Sequence, residues 1–306
     1  MECVRGFVTV ATGKEPYYIL AHNLLLSYRR HSSSDTPFAI LCDRRNKWTD
    51  DFDEVVVIED PSFSFMDKLR IIDLSPFDET IFIDSDCLAY RDLNGLWEIF
   101  EGAPDFGVLG HAYPPDSEEG WWDRENLGDL KDKVSCKIMC QGGVYYVRGN
   151  GNQIGEFSRT CSYIRERYLD FRFKLFGNKL ADEMIIALAC SVHGFLPRKD
   201  WSEVFAYYPE TKVIAADILS GVLIHEWTLM PGIVHNDAFL IHFGSHEAKN
   251  GWLYNKEAFK LRKRPLRLHD YSDRFLIWLR CVVNHSGFLK AISKTVPRRV
   301  RERLFR

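Results

Sequence analysis

Asp84 and Asp86 stand one residue apart at the end of a short apolar run, Thr80 to Ile83, within ETIFIDSDCLAYRDL (79–93). On a strand, residues i and i+2 face the same side, so the spacing predicts two carboxylates aimed at one point. Held about 4 Å apart, they repel by about 4 kcal/mol at an effective dielectric of about 20. The pair therefore requires a positive partner between its members, or a proton on one of them. A hard divalent cation with oxygen ligands, Mn²⁺ or Mg²⁺, is such a partner. A cation held in this way can also clamp a diphosphate and neutralise the charge that grows as it leaves.

The acids need a scaffold, and the first ninety residues supply one by alternating short apolar runs with helical spacing. GFVTVA (6–11), FAILCD (38–43), EVVVIED (54–60) and TIFID (80–84) read as buried strands. Between them, Tyr17, Leu20, Leu24, Leu25 and Tyr28 recur at helical spacing, as do the apolar residues of FMDKLRIIDL (65–74). This alternation predicts an α/β fold with a mixed, mostly parallel sheet covered by helices. In such sheets ligands bind at the carboxyl ends of strands, where Thr12, Asp43 and Asp84 fall. Further on, DFGVLG (105–110) and GGVYYVRGN (142–150) read as strands, separated by a polar loop that carries Trp121 and Trp122. Helical spacing returns over roughly 151–170 and 182–191, and AFLIHFG (238–244) is the last apolar run.

Bulk properties narrow the classes. The chain has 306 residues, with 46% hydrophobic and 27% charged, enough for a substantial core. No run approaches the roughly 20 apolar residues of a membrane span, and MECVRGFVTVATGK lacks the pattern of a secretory signal. The eight cysteines form no CxxC pair, which predicts free thiols and a cytoplasmic protein. The net charge of −3 conceals an asymmetry: residues 256–306 carry +11 and the preceding 255 carry −14. This break divides the chain into a body, 1–255, and a basic helical extension, 256–306. The Trp pair offers either an aromatic platform or lid for a ligand, or simple packing of its loop.

Several motifs, in order, carry a resemblance. FVTVATGKEPYYILAHNLLLSYRRH, MDKLRIIDLSPFDETIFIDSD, CQGGVYYV, LADEMIIALA and FLIHFGSHEAKNGW together span residues 7 to 252. This set resembles the GT-A fold glycosyltransferases, and in particular the family of glycogenin and the bacterial lipooligosaccharide galactosyltransferases. The resemblance implies metal-dependent transfer of a hexose from UDP-galactose or UDP-glucose to an acceptor hydroxyl on a glycan or lipid-linked glycan. It implies that Ala11, Thr12 and Tyr17 line the uridine pocket and that Lys68 reaches the donor sugar or ribose. Asp84, Asp86 and His242 would hold the metal, with Ser85, Gln141, Gly142 and Lys249 also on the donor. Asp182 would orient the sugar hydroxyls, beside a catalytic Glu183 near the anomeric carbon. Imidazole favours Mn²⁺ over Mg²⁺.

The chain departs from the family pattern in three places. Gln141-Gly142 replaces Asn-Ser or Asn-Ala, and Glu183 replaces a glutamine. In the last segment the spacing from His242 to Gly244 and Lys249 shifts by one residue, and no proline precedes Trp252. The family retains anomeric configuration, and a carboxylate at 183 serves that outcome as nucleophile or as stabiliser of an oxocarbenium-like state. As a base it would instead give inversion.

The extension has its own reading. YSDRFLIWLRCVV (271–283) is amphipathic, and VPRRVRERLFR (296–306) holds five arginines in its last nine residues. Basic faces beside Trp, Phe and Leu suit peripheral docking on an anionic membrane, whereas no nucleic-acid motif is present. Two other functions share parts of the pattern. A catalytically silent sugar-nucleotide-binding protein would keep every donor motif. A haloacid-dehalogenase-type phosphohydrolase also places D-x-D after a strand, but Leu88 stands where that family carries Thr or Val.

Overall fold

The computed structural model describes residues 3–176, 178–245 and 249–262. They divide into two compact units, Met1–Gly244 and Ser245–Arg306. The first is built on a six-stranded sheet of order β3-β2-β1-β4-β7-β6. Its strands are β1 (Arg5–Ala11), β2 (Phe38–Cys42), β3 (Glu54–Val57), β4 (Glu79–Ile83), β6 (Phe106–Tyr113) and β7 (Lys137–Arg148). The first four are mutually parallel, and β7 runs antiparallel to both β4 and β6. The mixed sheet expected from the sequence is therefore present, with one reversed strand beside the strand that ends in the acid pair.

Two clusters of buried side chains cover the two faces of the sheet. On one face, Val8, Phe82 and Tyr145 meet α4 (Ile154–Glu166) and α5 (Asp182–His193). On the other, Phe7, Ile40 and Ile83 meet α1 (Glu15–His31). Helix α1 forms where expected: Pro16 lies in its first turn, Leu20, Leu24, Leu25 and Tyr28 are buried, and Arg29, Arg30 and His31 complement the negative end of its dipole. Helix α5 is almost wholly buried and stops at Gly194, whose φ of 69° provides a left-handed C-cap.

A second, three-stranded sheet has the order β5-β12-β8. It comprises β5 (Cys87–Ala89), β8 (Phe205–Tyr207) and β12 (Leu240–His242). The buried Ser27 hydroxyl ties β5 to α1, donating to the Leu24 carbonyl and accepting the Ala89 N–H at 2.9 Å. A third sheet joins β9 (Thr211–Asp217), β10 (Val222–Trp227) and β11 (Val234–His235).

Some elements differ from the sequence reading. FMDKLRIIDL is a 3-10 turn, Phe65–Arg70, followed by the single-turn helix α2 (Ile71–Leu74), and a similar single turn, α3 (Leu96–Ile99), follows β5. Strand β7 begins at Lys137, five residues before Gly142. The two glycines interrupt the apolar pattern there, but pairing with β6 continues past a register shift near Gly110. A Cβ at Gly110 would lie 2.1 Å from the Met139 carbonyl oxygen, so glycine permits that approach. Strands β5, β8 and β9 to β11 were not anticipated. Strands β5 and β8 are three residues long and pair with the distant β12, while β9 to β11 pair with their neighbours in sequence but are half-exposed, so their apolar pattern is weak.

Trp122 is buried in the core with the Lys137 ammonium 5.2 Å from its ring, and Trp121 packs against the same cluster, which favours packing for that pair. The seven described cysteines are free thiols. No described helix is long and apolar enough to cross a membrane. In the second unit, Lys249 N–H donates to the Ser245 carbonyl at 3.1 Å. Helix α6 (Trp252–Leu261) follows and runs through the compositional break at 255/256. The amphipathic and arginine-rich segments of the extension lie outside the described residues.

Candidate active site

Strand β4 ends at Ile83, so Asp84 and Asp86 sit in a turn and not on the strand itself. This corrects the expectation that strand alternation brings them together. The Asp84 N–H still donates to the Gly143 carbonyl at 2.9 Å, and the Cys87 N–H closes the turn on the Asp84 carbonyl at 3.0 Å. Strand β12 then pairs with β5, setting His242 opposite Cys87, and the Phe243 N–H donates to the Asp86 carbonyl at 3.1 Å. Two ladders, from β7 and β12, thus fix the acid pair.

The positive partner that the pair requires is a side chain from 156 residues downstream. His242 Nε2 lies 3.2 Å from Asp86 Oδ1 and 3.5 Å from Asp84 Oδ2. Burial opposes the charged imidazole, but Asp86 and Asp84 outweigh it and push its pKa up to about 9. The second neighbour of Asp84 is Lys68, whose Nζ donates to Oδ2 at 2.7 Å. The same ammonium is 3.7 Å from Asp182 Oδ1. Burial alone would raise the Asp84 pKa, yet Lys68 and His242 hold this carboxyl well below the usual range.

Asp182 and Glu183 open α5, where the helix dipole favours acids. Asp182 is buried and Glu183 half-buried, and loss of solvent raises both pKa values. The Asp182 carboxylate accepts the Tyr145 hydroxyl at 3.0 Å and faces Lys68. Glu183 Oε1 accepts the Gly142 N–H at 2.8 Å. Its pKa is pushed up to about 7, first by burial and then by the Asp182 charge. One pocket therefore holds four acids and two cations, with a proton on Glu183 near neutrality.

Consecutive glycines open this pocket on both faces of β7. A Cβ at 142 would lie 2.7 Å from Glu183 Oε1, and a Cβ at 143 would lie 2.9 Å from His242 Nδ1. Gly143→Ala should push the imidazole off the acid pair, destabilising the fold by about 1–3 kcal/mol. Urea unfolding checks this, and an unchanged midpoint would show that the ring has room.

The uridine corner expected from the resemblance lies at the end of β1. Ala11 is buried, Thr12 Oγ1 donates to Asp67 Oδ2 at 2.7 Å, and Tyr17 is exposed. Asp67 also accepts the N–H and hydroxyl of Ser62, each at 2.7 Å. Because Asp67 and Lys68 are adjacent, this bond links the β1 end to the acid corner. Asp43 closes the other side, accepting the Gly13 N–H at 2.7 Å and the Tyr18 hydroxyl. Ser85 lies buried in the acid turn, its N–H on Asp84 Oδ1 at 2.8 Å. Gln141 hydrogen-bonds Tyr207, and its amide oxygen is buried without a partner. Lys249 belongs to the second unit.

The sequence places Asp43 at a ligand-binding strand end without a role, and it marks Asp67, Tyr145, Gly143 and Tyr207 not at all. The position of Asp43 at a strand end was a usable signal. The others depend on pairings between distant segments.

The arrangement has solved counterparts. The apo structure of WbbM, described as a bifunctional glycosyltransferase, matches with a TM-score of 0.53 and 13% identity, over 89% of this chain. The chain spans about half of that protein, 52%. The galactosyltransferase LgtC, in complex with donor and acceptor sugar analogs, matches with a TM-score of 0.51 and 14% identity, over 85% of this chain and 97% of that one. The fold is GT-A. At this identity the likeness is one of architecture. In the chain's own topology the acid corner follows the carboxyl end of β4, one of the parallel strands. No family model and no curated protein matches the sequence.

Proposed function

We propose that this GT-A chain transfers a hexose from a UDP-sugar to an acceptor hydroxyl on a glycan or lipid-linked glycan, retaining configuration at the anomeric carbon. The observation that carries the reading is the convergence of Lys68, Asp84, Asp86, Asp182, Glu183 and His242 in one corner of this fold, where Asp86, Asp182 and His242 are buried and the other three half-buried. A silent sugar-nucleotide-binding protein remains the second reading, whereas a GT-A scaffold gives no support to a dehalogenase-type phosphohydrolase.

His242 Nε2 lies within 3.5 Å of an oxygen of each carboxylate, and its charged ring supplies positive charge beside the acids. Among the described residues, Asp86, Cys87 and His242 bring ligand atoms within 4.8 Å of one another, and such a donor set suits a borderline ion such as Mn²⁺. Asp84, Asp86 and His242 would hold the ion, with Mg²⁺ the harder alternative. Bound there, a divalent cation stabilises negative charge on a departing diphosphate. The chain's own groups do the rest. Lys68 places a second positive charge beside Asp84 and Asp182. Asp182, fixed by Tyr145, presents acceptors to sugar hydroxyls, and the unpartnered Gln141 oxygen can accept from another. Glu183, when ionised, stabilises positive charge at the anomeric carbon. The acceptor attacks from the face the diphosphate leaves, and a leaving phosphate oxygen takes its proton, so no separate base is required.

Thermal melting against a panel of sugar nucleotides, with and without Mn²⁺, tests the reading. A UDP-sugar at a hundred times its Kd should stabilise the protein by about 2.7 kcal/mol when the ion is present, and UDP should then accumulate. Stabilisation without UDP release would favour the silent binder, and no response to any UDP-sugar would defeat both.

A further inference from the structure

The two departures from the family pattern that seemed separate in sequence, Gly142 and Glu183, touch in space. We infer that Gly142 is a positioning residue for Glu183: its N–H aims the carboxylate, and its missing side chain makes the slot the carboxylate occupies. The inference rests on the sugar-transfer reading above and names what orients the group at the reacting carbon.

Three observations carry it. The first is the direct bond, Gly142 N–H to Glu183 Oε1 at 2.8 Å. The second is space. A Cβ at 142 would stand 2.7 Å from Oε1, 2.9 Å from Cγ of the same side chain and 3.1 Å from the Tyr145 hydroxyl. Separations under about 3 Å are forbidden between such atoms at rest, so a Cβ here evicts the carboxylate and crowds the tyrosine, which leaves the carboxylate little room to return. The third is that Glu183 cannot retreat with its helix. The Cys140 thiol bonds its carbonyl at 3.6 Å, Tyr145 holds Asp182, and the Tyr168 hydroxyl accepts the Ala181 N–H at 3.1 Å. The first turn of α5 is therefore anchored on both sides, and only the side chain of residue 183 can yield.

Glycine at 142 accordingly keeps Glu183 aimed by one backbone N–H, which favours its ionised form and leaves the second oxygen free to face the donor. A bulkier residue at 142 would fill that slot and turn the carboxylate away from the reacting carbon. Gly142 acts through Glu183 in this account, in place of the direct donor contact that the resemblance implies for it.

Four proteins decide it: the wild type, Gly142→Ala, Glu183→Ala and the double variant, with Gly142→Ala/Glu183→Asp as a rescue. UDP release is measured with UDP-glucose and UDP-galactose in Mn²⁺, and UDP affinity by calorimetry. Gly142→Ala should lower kcat by about a hundredfold through misplacement of the carboxylate, with UDP affinity within about twofold, a difference worth under about 0.4 kcal/mol. In the Glu183→Ala background the same change should cost less than about threefold, because contacting residues are not additive. The shorter aspartate should recover at least about fivefold over Gly142→Ala, since it withdraws the clashing Cγ. Equal loss in both backgrounds, or a loss confined to UDP affinity, would overturn the inference. A wild type that releases no UDP from any sugar nucleotide would defeat the transfer reading instead. Urea unfolding of the same four proteins then decides the coupling: non-additive midpoints uphold the Gly142–Glu183 contact and additive ones refute it.

Discussion

Asp86→Asn is expected to abolish sugar transfer while leaving the fold in place. Asp86 is one of two carboxylates on His242 Nε2, at 3.2 Å, and its backbone carbonyl is held by Phe243. The amide keeps the size and the hydrogen-bonding oxygen but loses the charge a divalent ion requires. Changing a residue behind a metal ligand already costs about 10–100-fold in affinity or activity, so loss of a direct ligand should exceed about a hundredfold. Stability should move less. Asp84 still lies 3.5 Å from the imidazole, and removal of one acid also removes its repulsion of the other. The measurement is UDP release over a Mn²⁺ titration, beside the circular dichroism spectrum. A folded variant that turns over at the wild-type rate in Mn²⁺ would remove the metal role of this corner.

Glu183→Gln should make the metal-free protein more stable at alkaline pH and not at acid pH. Burial and the Asp182 charge raise the Glu183 pKa from 4.5 to about 7. Between those values the folded protein binds a proton that the unfolded chain has released, so stability falls as pH rises through the window. Above it the wild type carries a carboxylate only partly compensated by Lys68, the Gly142 N–H and His242, at a cost on the order of 3 kcal/mol. Glutamine keeps the acceptor oxygen for the Gly142 N–H and cannot ionise. Urea unfolding at pH 5 and pH 8 should therefore show a clear gain at pH 8 and little at pH 5. The same gain at both values would mean that Glu183 does not titrate in this window. For transfer, the ionised carboxylate stabilises positive charge, so the wild-type rate should climb with pH as Glu183 ionises. The variant should lose that limb along with about a hundredfold in kcat, the scale of one lost electrostatic contact.

The sequence alone determined the scaffold and the kinds of atoms in the site. Buried parallel strands write themselves as apolar runs, so β1, β2 and β4 were legible, as were the carboxylates that follow β4. Helices α1 and α5 were legible from spacing because one or more of their faces are fully covered. Motif order then singled out Lys68, Asp182, Glu183 and His242, although no local pattern says that these four meet. The tertiary structure decided their pairings. His242 reaches the acids because β12 pairs with β5 across a separation of about 150 residues, and such a contact leaves no periodic trace in either segment. The acids converge through a turn held by β7 and β12, where strand alternation had been expected to do it. The slot for Glu183 exists because Gly142 lies against the first turn of α5, an absence of atoms that a sequence shows only as a glycine. Residue types set which charges could gather, and long-range backbone hydrogen bonds set the distances at which those charges act on one another.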